Sequence, residues 1–356
     1  MLYPLKFRSV YKDYVWGGRN LERLGKELPG GIIAESWEVS CHVNGPSIVA
    51  NGEYEGILLP ELVDKLGKNL TGSSIEQRQA NEFPLMVKLI DADKNLSVQV
   101  HPDDNFARKN EGYKYGKDEM WYILSAEPGA SLVYGLIPGT TQKAFSEAVK
   151  NGSLVNYLNT IEVSAGDTIF IPSGTVHAIG RGIMLAEVQQ NSDLTYRIYD
   201  YGRTNRQLHI EKALQVTDVN SDFGNVSRKG LDIKLAGAST KKVISACRNF
   251  AAEVYDIKGM VNEEADGSRF CIYTFFEGSG VINYPTSRIM VRSGESVFIP
   301  AAMGEYSITG ELKCLKSYVP DIYFDIIEPL INYGYEFREI ENNISGLVLR
   351  AFANAS

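Results

Sequence analysis

The sequence predicts a mostly-β protein made of two related β-barrels with a few decorating helices. Three observations carry that expectation. Short runs rich in Val, Ile, Thr, Phe and Tyr, punctuated by Gly, Pro, Asn and Asp, recur through most of the 356 residues, which is the pattern of antiparallel strands joined by tight turns. Apolar residues at helical spacing are confined to three places. One strand-and-turn segment also occurs twice: Gly166-Asp-Thr-Ile-Phe-Ile-Pro172 has a near twin 128 positions later in Gly294-Glu-Ser-Val-Phe-Ile-Pro300.

In chain order, strands are expected at 36–43, 85–90, 120–124, 168–171, 271–276 and 296–299. Helices are expected at 58–66 and 145–158, where apolar residues fall at i, i+3 and i+4, and a shorter one at 208–216. These helices decorate a β core. Each copy of the repeat opens on a Gly-acid turn, runs as an apolar strand and stops at a Pro that cannot extend a ladder. The interval implies two barrels, the first ending around 220–240, with the polar stretch 220–230 as the join. We therefore divide the chain into 1–232, with helical insertions, and 233–356, a second and degenerate β domain.

Composition narrows the function. A hydrophobic content of 44% over this length supports a sizeable core. A formal charge of −8, with no clustered Lys and Arg, excludes a nucleic-acid partner. A small anionic ligand is still compatible, because two or three basic side chains set the charge of a pocket. No window offers the roughly 18 uncharged apolar residues of a membrane span. Lys6, Arg8, Lys12 and Asp13 interrupt the first twenty residues, so no signal-type stretch is expected there. The chain reads as a cytoplasmic monomer or small homo-oligomer with no membrane partner. Cys41, Cys247, Cys271 and Cys314 are far apart, which suggests packed, reduced thiols rather than a disulfide framework or a thiolate zinc site.

One constellation points to a metal. Gly166-x5-Pro172-x-Gly174-x2-His177 ends a strand at Pro172, turns at Gly174 and aims His177 inward from the next strand. It resembles the second motif of the cupin superfamily of small jelly-roll barrels, with Arg181 where that motif usually has Asn. In Leu96-Ser-Val-Gln-Val-His101, strand alternation puts Ser97, Gln99 and His101 on one face. The donors at 99 and 101 then leave the backbone in one direction about 7 Å apart. Glu119, just ahead of an apolar strand, adds a carboxylate. Gln99, His101, Glu119 and His177 make an N/O site with room for water or substrate oxygens. Zinc (Zn2+) is the first choice for its one divalent ion, with manganese or iron next. The second copy contains no histidine, and adding 128 to 177 gives Glu305, so the metal belongs to the first barrel. His42 and His209 are expected to be hydrogen-bonded core or surface residues, and Trp16 and Trp37 core aromatics.

Pro84-Leu-Met-Val-Lys88-Leu-Ile-Asp-Ala-Asp-Lys-Asn-Leu96-Ser-Val-Gln-Val-His-Pro102 resembles the signature of class I mannose-6-phosphate isomerases, in their short bacterial form. Tyr14-Val-Trp-Gly-Gly18, Ala34-Glu-Ser-Trp37, Gly116-Lys-Asp-Glu119 and Asn191-Ser-Asp193-Leu-Thr-Tyr-Arg197 are similar to further blocks of that family, in the same order. The resemblance implies metal-dependent interconversion of mannose 6-phosphate and fructose 6-phosphate through an enediolate. It associates Asp193 and Lys88 with proton transfer and Arg197 with an essential arginine near the substrate. Ser97 and Lys117 match substrate-side positions. Arg203, Arg181 and Lys117 are candidates for the phosphate, no P-loop being present. The four-residue step from Asp193 to Arg197 calls for a bulge or turn. Two rivals use the same barrel: a cupin dioxygenase with iron and an open coordination position, and a sugar-phosphate-binding protein without turnover.

Overall fold

In the computed structural model, residues 2–78, 83–220 and 227–348 are described. The strands form three antiparallel sheets. A seven-stranded sheet has the order Ser227–Arg228, Thr168–Ile171, Glu119–Ala126, Ile183–Gln190, Leu85–Ala92, Glu35–Val39, Val10–Lys12. A five-stranded sheet has the order Tyr196–Tyr199, Val98–Val100, His177–Ile179, Ser131–Leu136, Leu158–Glu162. The two form the sandwich of the first jelly roll, with Trp16, Ile90, Trp121, Ile123, Leu132, Ile169, Ile179 and Leu185 packed between them.

The strand Leu85–Ala92 is buried at every position because its sheet is covered twice. Ile90 faces the first lumen. Leu85, Val87 and Leu89 face a second cluster with Phe83, Phe250, Phe270, Phe298 and Leu315, which joins the two halves of the molecule. Alternation therefore sends Lys88, on the parity of Ile90, into the lumen.

The third sheet has nine strands and carries the second barrel. Its long strands Ala251–Ala265, Cys271–Tyr284 and Gly304–Tyr318 bend so that their two ends face each other across a lumen. Lys316 Nζ, from one end, lies 2.6 Å from Glu263 Oε2, from the other. The N-terminal strand Leu5–Arg8 joins this sheet beside Ser296–Ile299, and Ile48–Val49 forms the edge beyond it.

The repeat is structural as well as sequential. Thr168–Ile171 pairs with Glu119–Ala126 in the register Ile171 to Glu119, and Ser296–Ile299 pairs with Cys271–Tyr284 in the register Ile299 to Cys271. Two residues further on, the row Trp121, Glu187, Lys88 has its equivalent in Tyr273, Lys316, Glu253. Gly166 and Gly294, at φ +91° and +85°, open both strands in the left-handed region that glycine enters without strain.

The lumen position equivalent to His177 is Tyr306 rather than Glu305. His177 pairs with Gln99 and Tyr306 with Glu263. Tyr306 is buried and Glu305 exposed, because the second copy has one more residue between its Pro and this position, and a one-residue shift reverses the face.

The expected helix over 145–158 is also displaced. It spans Gln142–Asn151, capped by the Thr141 side chain and stopped by Gly152 at φ +79°. Beyond that turn the chain becomes the strand Leu158–Glu162. The helices at Leu59–Leu66 and Ile210–Val216 lie where expected. Most of the join expected at 220–230 falls outside the described residues. No helix among the described residues is long and apolar enough to cross a membrane.

Candidate metal centre and its cavity

His101, Glu119 and His177 come together at one end of the first lumen, their ligating atoms all within 4.8 Å of one another. His177 enters from the five-stranded sheet and Glu119 from the first residue of its own strand. His177 Nε2 lies 3.2 Å from Glu119 Oε1, and His101 Nε2 lies 3.5 Å from Glu119 Oε2. The Gln99 amide is 3.3 Å from His177 Nε2.

Each imidazole is oriented from behind. His101 Nδ1 donates to the Leu194 carbonyl at 2.7 Å and His177 Nδ1 to the Thr175 carbonyl at 2.8 Å. Those bonds fix the tautomer and turn both Nε2 lone pairs to the centre. Burial, reinforced by the Lys117 ammonium, holds His101 well below its ordinary pKa, and burial brings His177 down to about 4. Both rings are therefore neutral at pH 7. Burial pushes the Glu119 carboxyl up, against the opposing pull of Lys117. Glu119 Oε1 is buried without a hydrogen-bond partner and faces a ring lone pair. Two lone pairs and an orphaned carboxylate oxygen pointing at one spot are the donor set a divalent cation requires, and a buried polar atom without a partner is otherwise costly. The residues present fit such an ion.

A cavity of about 410 Å³ opens beside this cluster, lined among others by Lys88, Ser97, Gln99, Lys117, Asp193 and Arg197. Lys88 is buried between two carboxylates, 3.1 Å from Glu187 and 3.8 Å from Glu35. Burial opposes its charge, but Glu187 and Glu35 outweigh it and raise its pKa. Glu187 also accepts from Trp121 Nε1 at 2.9 Å, and the Trp121 ring packs edge-on against His177. Lys117 is bonded to Glu119 and lies 3.3 Å from His101 Nε2.

Asp193 sits in the irregular segment just before the strand Tyr196–Tyr199. The step to Arg197 therefore starts outside the ladder, and the register shift falls after Arg197, between it and Tyr199. Asp193 lies 3.2 Å from His42 Nε2 and accepts from Asn44 Nδ2 at 2.5 Å. Burial raises its pKa, but those two hydrogen bonds outweigh it, and the carboxyl lies below its ordinary value. Arg197 pairs with Gln99 across the ladder and donates to Ser97 Oγ at 3.1 Å and to the Gln207 carbonyl at 2.9 Å. Neither Asp193 nor Asp200 forms an ion pair with it, Asp200 being held by Arg203 and Arg206.

The structure departs from the sequence reading at two phosphate candidates. Arg181 is exposed beside Glu127, and Arg203 is tied to Asp200 and the Asn95 carbonyl; neither lines the cavity. Lys12 and Arg206 do. Trp16 and Trp37 are buried as expected but also form cavity wall, with Lys12 and Lys88 4.3 and 5.2 Å from the Trp37 ring. Sequence reasoning missed Glu35, Glu187, His42 and Asn44. An isolated charge within an apolar strand, as Glu187 is, was the available signal, because a buried charge needs a partner.

A jelly roll with imidazole and carboxylate donors converging in its lumen, beside a cavity lined with buried cations, defines a metal-site protein of the cupin type. Comparison with known proteins narrows this. Residues 4–129 match the catalytic domain of type I phosphomannose isomerases and residues 239–319 the mannose-6-phosphate isomerase cupin domain. The mannose-6-phosphate isomerase of Streptococcus mutans is 34% identical over 324 residues, covering 89% of this chain and 99% of that protein. A crystal structure of the mannose 6-phosphate isomerase from Bacillus subtilis superposes with a TM-score of 0.82 at 32% identity, over 89% of this chain and 99% of that one. Phosphomannose isomerase from Salmonella typhimurium shares the fold at 18% identity, with a TM-score of 0.73. The chain belongs to the type I phosphomannose isomerase family.

Proposed function

We propose that this chain is a metal-dependent aldose–ketose isomerase that interconverts mannose 6-phosphate and fructose 6-phosphate. The observation that carries this reading is the gathering of Lys88, Asp193 and Arg197 around one cavity that is also lined by Gln99 and Lys117, both of which touch the His101, Glu119 and His177 cluster. Gln99, His101, Glu119 and His177 would hold the ion. Two imidazoles, a carboxylate and an amide oxygen favour zinc, with manganese or iron next. When bound there, the ion supplies Lewis-acid charge to the substrate oxygens as the proton alpha to the carbonyl leaves.

The chain's own residues divide the remaining work. Asp193, kept ionised by His42 and Asn44, is the proton acceptor. Lys88, kept as an ammonium by Glu187 and Glu35, is the donor. Arg197 keeps N–H groups beyond those given to Ser97 and Gln207, and directs them at charge developing on the enediolate. Lys117 joins Ser97 in positioning the sugar, and Lys12 is a further cation of the cavity wall for the phosphate, Arg206 on the same wall being paired with Asp200. We read 1–232 as the catalytic domain and 233–356 as the second β domain, in a cytoplasmic monomer or small homo-oligomer. Membership of an isomerase family weighs against a dioxygenase.

The test is formation of fructose 6-phosphate from mannose 6-phosphate by purified protein, before and after chelation, with unphosphorylated mannose as control. Turnover lost on chelation, restored by zinc and absent with mannose supports the reading. A folded, metal-loaded sample without turnover contradicts it.

A further inference from the structure

We infer that the second barrel takes part in building the metal centre, through a single turn that holds the Glu119 segment in place, with Asn249 as the positioning residue. The inference rests on Glu119 being a metal ligand. The turn joins the strands Thr240–Ala246 and Ala251–Ala265 and is closed by a hydrogen bond from Cys247 N to the Phe250 carbonyl at 2.8 Å.

Asp118 lies between Lys117 and Glu119. Those two side chains reach the metal centre, so alternation turns Asp118 to the other side. Its carboxylate is divided between two neighbours. Oδ1 accepts from Ser173 N at 2.9 Å, in the turn that leads to His177. Oδ2 accepts from Asn249 Nδ2 at 2.8 Å, and Asn249 is 7% exposed. One carboxylate thus ties the Glu119 segment to the His177 turn and to the second barrel.

The third ligand segment belongs to the same network. Pro102, next to His101, accepts from Lys117 N at 3.0 Å, and His101 O accepts from Gly174 N at 2.8 Å. Asp104 Oδ1 accepts from Gly116 N at 2.8 Å and from Gln190 Nε2 at 2.9 Å. Gln190 in turn accepts from Asp118 N at 2.9 Å. Arg248, beside Asn249, reaches Asp104 Oδ2 at 3.4 Å. Both ligand-bearing loops therefore touch the second barrel at adjacent residues of one turn. Ligand geometry held from the outer shell typically changes metal affinity or activity 10- to 100-fold when that shell is lost.

The hydrogen bond can be broken and remade. Asn249→Asp sets two carboxylates face to face. Adding Asp118→Asn restores a donor and acceptor across the same gap and keeps an acceptor for Ser173 N. In the holoenzyme, Asn249→Asp is expected to speed release of zinc to a chromophoric chelator by about tenfold and to lower kcat with KM little changed. The double variant should return both to within about threefold of the parent. Ser345→Ala removes a different contact between the barrels, to the Thr168 carbonyl, and should move neither. If Asn249→Asp does not fold, Asn249→Ala is read by the same two measurements.

Zinc release and kcat unchanged in Asn249→Asp, or a loss that Asp118→Asn leaves unrelieved, overturns the inference. A lower Tm with parental zinc release would make Asn249 an ordinary interface contact and overturns it equally. His177→Ala run alongside separates the two levels: if that variant keeps its zinc, the ligand assignment fails rather than the role of Asn249.

Discussion

In the first lumen Lys88 stands between Glu35 and Glu187. At the equivalent register positions of the second stand Glu253, Lys241 and Lys316, with every charge exchanged. His177 is matched by Tyr306, Glu119 by Cys271, and Trp121 by Tyr273. In the first barrel Lys117 meets Glu119 beside two imidazoles that converge on the same carboxylate; the second has no such imidazoles, and its lysine is set among tyrosine rings. Lys316 Nζ bonds Glu263 Oε2 at 2.6 Å and lies within 6 Å of the Tyr255, Tyr273 and Tyr318 rings. Glu263 and Tyr255 are themselves hydrogen-bonded at 2.7 Å. One jelly-roll topology thus carries either a candidate metal site or a self-neutralised core. The choice lies in a few inward-facing side chains and not in the fold.

The largest effect should come from emptying the first lumen. His177→Ala is expected to drop bound metal from about one per chain to none, with kcat/KM falling on the order of 10³-fold or more, measured by elemental analysis and assay together. Arg197→Ala should keep the metal and lose on the order of 10²-fold in kcat. Equal metal loss in the two variants would erase the distinction between ligand and charge stabiliser.

Next comes Lys316→Met. Removing this buried ammonium leaves Glu263 without its ion partner, and breaking a buried pair costs about 3–5 kcal/mol. Denaturant unfolding should show that loss, while metal content and kcat of the folded fraction stay at parental values. A parallel loss of metal would mean that the second lumen is coupled to the first.

Protonation should sharpen the contrast. His177 has a folded pKa of about 4, below the roughly 6.5 of an unfolded histidine. The folded state binds fewer protons, so the stability linked to this group is complete above about pH 6.5 and declines as pH falls towards 4. The stability difference between metal-free parent and metal-free His177→Asn should change across that window, and a pH-independent difference would refute it. The smallest effect is expected for Trp121→Phe, which removes the indole hydrogen bond to Glu187 and should cost about 1 kcal/mol with a severalfold fall in kcat.

Much of the candidate site could be read from the chain because the proposed ligands and their strands are local. Ser97, Gln99 and His101 alternate along one strand, and the Gly-Pro-Gly spacing placed His177. What escaped were partners separated by long stretches of sequence. Lys88 meets Glu187, and Asp193 meets His42, only because the sheets bring distant strands side by side. Arg181 and Arg203 were candidates on charge alone, yet each has an acidic partner within reach. The repeat revealed two barrels, but a constant offset could not show the extra residue that turns Glu305 outward and Tyr306 inward. Helix length at 145–158 failed for a related reason: apolar spacing continues past Gly152, whose left-handed backbone ends the helix.

The most direct test is a crystal structure of the metal-loaded protein with diffraction data collected on both sides of the absorption edge of the bound metal. The account predicts one anomalous peak per chain, bounded by Gln99, His101, Glu119 and His177, and none beside Lys316. A peak in the second lumen, or one in the first that these side chains do not contact, would contradict it.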